Sequence, residues 1–66
     1  MIVRANGKPC DLPDGASLGE LIATLGFGTR WVVAEVNGEA VDRKAMGSLE
    51  LHDGDSVELV RAVAGG

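Results

Sequence analysis

The stretch MIVRANGKPCDLPDGASLGELIATL, residues 1–25, reads as a β-hairpin followed at once by a short capped helix. Met1 to Ala5 is an apolar strand. Asn6-Gly7 supplies two residues that tolerate positive φ, as a type I′ turn requires, and Lys8 to Leu12 returns as the partner strand. Pro9 has no N–H to give to a ladder, which places the second strand at a sheet edge or makes it locally irregular. Pro13-Asp14-Gly15 ends the hairpin as a turn. Ser17-Leu18-Gly19-Glu20 has the spacing of a capping box, with the Ser17 hydroxyl placed for an orphan N–H and Glu20 reaching back to the cap. Leu18, Leu21, Ile22 and Leu25 then recur at helical spacing as one apolar stripe, and Gly26 supplies a left-handed stop after about three turns.

Beyond the helix, Trp31 to Asn37 reads as a third strand, with Val32, Ala34 and Val36 on one face and Val33 and Glu35 on the other. Asn37-Gly38 turns the chain. Val41 to Met46 is irregular or a single helical turn, and Ser48 to Leu51 is expected as a short strand. Asp53-Gly54-Asp55 forms a tight turn into the last strand, Ser56 to about Ala62. There Val57 and Leu59 face the helix, while Glu58 and Val60 face the open side. By the same parity Val3 and Ala5 point inward and Ile2 and Arg4 outward. Ile2, Val33 and Val60 are therefore expected to form a small exposed apolar patch, a mark of a docking face, although single surface valines are ordinary.

A hairpin, a helix across one sheet face, then two or three strands is an α+β arrangement. The most economical topology is a β-grasp, a mixed sheet with one main helix on one face and the first and last strands paired in parallel at its centre. Residues 1–62 form that domain, and residues 63–66 are expected as a flexible Gly-Gly tail.

Composition narrows the function. A 66-residue domain buries only about 60% of the surface its unfolded chain exposes, and one Trp, one Phe and no Tyr leave little bulk to wall off a deep pocket. Ten acidic residues against six basic give a net charge of −4. No Lys/Arg run is long enough to follow a phosphate backbone, so nucleic acid is a poor partner, whereas a protein with a basic patch would be attracted. No basic segment leads into an apolar one at the start, and no apolar run approaches the roughly 18 residues that span a bilayer, so a soluble, cytoplasmic chain without a membrane partner is expected.

Candidate chemistry within the domain is thin. Gly26-Phe27-Gly28-Thr29 follows a helix and lacks a third Gly, which makes it a helix stop rather than a phosphate cradle. His52 has no partnering Cys or second His. Cys10 is alone, so neither an intramolecular disulfide nor a Cys/His zinc cluster can form, and nothing in its local sequence lowers a thiol pKa. Asp53 and Asp55 lack the further oxygen ligands of a calcium loop. No catalytic residue, bound metal or bound cofactor is expected.

What remains is the end, Arg61-Ala62-Val63-Ala64-Gly65-Gly66. Read alone it is an ordinary frayed terminus. Its functional reading is that residues without Cβ let the backbone thread a narrow channel and present a carboxylate there. The element order together with Glu35-Val36-Asn37-Gly38, Asp53-Gly54-Asp55 and Gly65-Gly66 resembles the ubiquitin-like sulfur carriers over essentially the whole chain. The run LHDGDSVELVRAVAGG, residues 51–66, is most similar to the sulfur carrier protein family of thiamine biosynthesis. Those carriers often have Pro after the Val that follows the Asn turn. This chain has Val41-Asp42-Arg43 there, and Arg43 matches.

The resemblance implies a protein co-substrate rather than an enzyme. Gly66 would be adenylated with ATP by an E1-like adenylating enzyme and converted by a persulfide sulfur donor to a thiocarboxylate (1-thioglycine). Thiazole synthase would then take the sulfur. Gly65 and Ala64 would be needed for threading, and Ile2, Val33 and Val60 for partner docking. The alternatives are delivery of sulfur to molybdopterin or another metabolite, a ubiquitin-like protein modifier, and a binding module with an inert tail.

Overall fold

The computed structural model describes residues 1–27 and 32–61. Two Asn-Gly turns organise the sheet. Asn6 and Asn37 sit at φ 52° and 53°, each followed by a Gly with φ above 80°, and both dipeptides reverse the chain between adjacent antiparallel strands. The first joins β1 (Ile2–Ala5) to β2 (Lys8–Asp11) and the second joins β3 (Val32–Val36) to β4 (Glu39–Ala40). Between the hairpins runs α1 (Leu18–Thr24), and β5 (Ser56–Arg61) is the last described strand.

The five strands lie in the order β2-β1-β5-β3-β4, with β1 and β5 parallel and the other neighbouring pairs antiparallel. This is the expected β-grasp, and β2 with its Pro9 is an edge strand, where the missing N–H costs no ladder bond. One sheet face carries Val3, Ala5, Val32, Ala34, Val57 and Leu59 against Leu18, Leu21 and Ile22 of α1, with Leu12, Ala16, Met46 and Leu51 closing the margins. Each fully buried Leu or Ile contributes about 1.5–3 kcal/mol of transfer free energy. In so small a domain each of those side chains is a sizeable share of the net stability.

The helix is capped by one half of the expected box, with no bond among the described residues from the Ser17 N–H to the Glu20 carboxylate. The Glu20 N–H donates to the Ser17 hydroxyl at 3.1 Å. At the far end Gly26, at φ 81°, donates to the Ala23 carbonyl, and Phe27 donates to the Ile22 carbonyl at 3.0 Å, which is the Schellman pattern. That stop comes early. Seven residues make about two turns rather than three. Leu25 falls at the C-cap, where it is 41% exposed and drops off the buried stripe.

Residues 48–51 also differ from expectation. Glu50 makes only an isolated bridge with Ser17, framed by bonds from Leu18 N–H to the Leu49 carbonyl and from Leu51 N–H to the Ala16 carbonyl. The stretch serves as a strap for the helix entrance, and the strand that follows β3 is Glu39–Ala40 instead. The strap is close-fitting. A Cβ on Gly19 would lie 2.6 Å from the Gly47 carbonyl oxygen, so only a glycine lets α1 approach the 43–48 turn at this distance.

Trp31, placed at the start of the third strand by sequence, lies outside the described residues, as do Gly28, Thr29, Ala62 and residues 63–66.

Candidate functional site

Glu35-Val36-Asn37-Gly38 and Asp53-Gly54-Asp55 converge at one end of the sheet, and their polar atoms are spent on the turns. Asn37 Nδ2 donates to Asp55 Oδ1 at 3.0 Å, and the Ser56 N–H donates to Asn37 Oδ1 at 2.9 Å. The His52 N–H donates to Asp55 Oδ2 at 2.8 Å, and the Ile2 N–H donates to Asp53 Oδ1 at 2.7 Å. The bond from Asn37, followed by that from the His52 backbone, holds the Asp55 carboxyl below its ordinary value, against a smaller opposing effect of burial. Glu35-Val36-Asn37-Gly38 and Asp53-Gly54-Asp55 thus fix how β5 enters the sheet. His52 is exposed, with Nδ1 3.9 Å from Asp55, and Cys10 is a half-buried thiol packed against the core. Among the described residues no group of three or more His, Cys, Asp or Glu side chains is arranged to hold a metal ion.

At the other end β5 runs out towards residues 62–66. Arg61 is the last described residue, paired in register with Val32, and its guanidinium lies 5.2 Å from the centroid of the Phe27 ring just past the helix stop. This cation–π contact ties the outgoing strand to the end of α1. Sequence reasoning did not find the pair, because it joins a loop residue to a strand end that no local pattern connects. Gly65, Gly66 and Ala64 lie outside the described residues.

The sheet face opposite the helix carries the remaining candidates. Ile2, Val33 and Val60 are 47%, 51% and 62% exposed, as their parity predicts. Val33 and Val60 are directly opposed cross-strand partners on β3 and β5. Ile2 does not join them. The parallel register pairs Arg4 with Ser56, and the Gly54 N–H donates to the Ile2 carbonyl, so Ile2 stands level with the turn before β5. Val60 lies six residues beyond Gly54, roughly 20 Å along the strand direction. The expected three-residue patch is therefore a Val33–Val60 pair at one end and a separate Ile2 at the other. Parity fixes the face a residue takes but says nothing of its height.

Next to the valine pair, Glu35 and Glu58 are also directly opposed. A cleft of about 340 Å³, with Val36, Ala40, Val41, Ala45 and Leu49 among its lining residues, opens beside β4.

A family model described as the ThiS family matches residues 3–66. A thiazole synthase of Magnetococcus marinus is 33% identical over 66 residues, which is all of this chain and 20% of that protein. The chain thus spans about a fifth of the length of the curated relative it matches. The crystal structure of a thiamine biosynthesis protein (ThiS) from Geobacter metallireducens superposes with a TM-score of 0.82 at 32% identity, covering the whole of both chains. The NMR solution structure of a thiamine biosynthesis protein from the same organism gives 0.78 at 33% identity, covering all of this chain and 88% of the other.

Proposed function

The chain belongs to the ThiS family, and on that premise we propose that it is a sulfur carrier whose Gly66 is loaded as a thiocarboxylate for thiazole formation in thiamine biosynthesis. The observation that carries the reading is the family match from residue 3 to residue 66, which takes in the fold and the Gly65-Gly66 end together. A thiazole synthase that holds a segment 33% identical to this whole chain supports thiazole synthase as the consuming partner.

The chemistry follows from the carboxylate. An α-carboxyl of pKa about 3.3–3.7 is an anion at neutral pH and a poor electrophile. An E1-like adenylating enzyme joins it to the α-phosphate of ATP and releases pyrophosphate, so that AMP becomes the leaving group. A persulfide attacks the acyl carbon and expels AMP, and a thiol then cleaves the acyl disulfide, leaving the thiocarboxylate on Gly66. The ionised sulfur is a nucleophile that the second partner draws into the growing ring. The carrier itself supplies a handle and an atom, while acid, base and ATP belong to its partners. Gly65 and Ala64 give the chain end a slender profile for threading, and the open sheet face with Val33 and Val60 docks the partner. In this reading residues 63–66 are the tail and residues 1–62 the domain.

Intact-mass spectrometry after incubation with ATP, a persulfide source and the purified adenylating enzyme tests this. A gain equal to one oxygen exchanged for sulfur, absent from a Gly66-deleted control, is the expected result. No gain with an adenylating enzyme shown to be active overturns it.

A further inference from the structure

We infer that the open sheet face recognises its adenylating partner through a basic side chain of that partner, an arginine or lysine seated between the Glu35 and Glu58 carboxylates, with apolar groups of the partner covering Val33 and Val60. The inference rests on the sulfur-carrier reading and adds the chemistry of the docking surface.

The register places Glu35 opposite Glu58 and Val33 opposite Val60 on the same two strands. All four side chains are exposed on the face that α1 leaves uncovered. Directly opposed Cβ atoms in an antiparallel pair stand about 4.5–5.5 Å apart, and like charges at that spacing weaken the sheet. Neither carboxylate is paired with a described cation. Arg4, the described basic residue nearest on this face by register, is level with Ser56 and directs its Nη1 to the Gly7 carbonyl at 3.1 Å. The central strands therefore carry a like-charged pair that no described cation compensates.

A guanidinium or ammonium placed over the pair would neutralise both charges at once, and the adjacent valines would lose their exposed apolar area in the same contact. A second copy of this chain does not fit, because it would bring two more carboxylates against the first two. An anionic lipid surface or nucleic acid fails on the same ground. A basic protein surface is the one class of partner whose charge matches.

The test is the loading reaction with purified adenylating enzyme, followed by intact mass at varied carrier concentration, for the wild type and for E35Q/E58Q. Docking through the pair predicts a rise of about fivefold in the KM for the carrier with kcat unchanged, and a weaker dependence of KM on salt. The same variant is expected to melt a few degrees higher, about 1–5 °C, because the internal repulsion is gone. Weaker docking with a more stable fold is a combination that damage to the fold cannot produce. An unchanged KM with normal loading overturns the inference alone, as does a raised KM accompanied by a lowered melting temperature. Failure of the wild type to take up sulfur overturns the carrier reading, and this inference falls with it.

Discussion

Asn6 Oδ1 accepts a hydrogen bond from the Leu59 N–H at 2.8 Å, so a turn residue continues the β1–β5 ladder past the point where β1 itself ends. One residue thereby does two jobs. It takes the left-handed conformation that the type I′ turn needs, and its side chain occupies a part-buried N–H on the central strand. Asn37 repeats the device at the other Asn-Gly turn, where its Oδ1 takes the Ser56 N–H.

The double role predicts an order of stability. Asn6→Gly keeps the turn and loses the bond, at about 1–3 kcal/mol. Asn6→Ala loses the same bond and, unlike Gly, holds a Cβ in the left-handed region without the local hydrogen bonding that lets Asn sit there, at roughly 1–2 kcal/mol more than the Gly variant. Urea unfolding should rank the proteins Asn, Gly, Ala. Equal midpoints for the two variants would show that the turn carries no conformational demand.

Gly19→Ala should be destabilising even though alanine is the better helix former by about 1 kcal/mol. The added Cβ meets the Gly47 backbone oxygen at 2.6 Å, and a backbone atom gives way only if the whole strap moves. A net loss of about 1–3 kcal/mol is expected by thermal denaturation. A gain in stability would mean that the strap is looser than its geometry states.

Acid should weaken the protein partly through Asp55. Its folded pKa is depressed, chiefly by the bond from Asn37, so its contribution is present above the unfolded value of about 3.9 and is lost as pH falls through the lower folded value. In Asp55→Asn this component should vanish, which makes the fall in stability below pH about 4 shallower than in the wild type. Parallel curves for the two proteins would remove Asp55 from the acid response.

Gly65→Ala should fold as the wild type does and load sulfur poorly. A Cβ widens the chain end and narrows its accessible φ/ψ range where a partner's channel must admit it. Melting temperature and thiocarboxylate yield, measured on the same preparation, separate the two effects. Full yield would count against threading.

Phe27→Leu keeps an apolar side chain and removes the ring beneath Arg61, so a loss of about 0.5–1 kcal/mol is expected at this exposed contact. Combining it with Arg61→Ala should cost little beyond either single change. Additive losses would indicate two unrelated effects.

Much of this fold was legible because its signals are local. Asn-Gly turns, a serine cap, a glycine stop and a proline that demands an edge each act within a few residues, and strand alternation gave the correct face for Val57, Leu59, Val33 and Val60. What was misread depends on distant partners. The apolar stripe ran on to Leu25, but the Schellman stop ended the helix first. Ser48 to Leu51 had the makings of a strand, yet the backbone it meets is the entrance to α1. Ile2 had the right face and the wrong height, since the parallel register of β1 on β5 joins residues more than fifty positions apart. The Glu35–Glu58 opposition was hidden in the same way, because it exists only once β3 and β5 are aligned.

The order of the strands has a consequence for how the molecule is made. β5 is the last described strand in the chain and the middle one in the sheet, so until it is synthesised the β1–β2 and β3–β4 hairpins have no strand between them to make one sheet. A nascent chain that stops short of Ser56 holds two isolated hairpins, each marginal in water. Assembly of the sheet therefore waits for β5, and a chain that lacks this strand never acquires the Val33–Val60 face. If the proposed partners read the folded face, they encounter only chains long enough to carry that strand, and the topology itself screens out truncated copies.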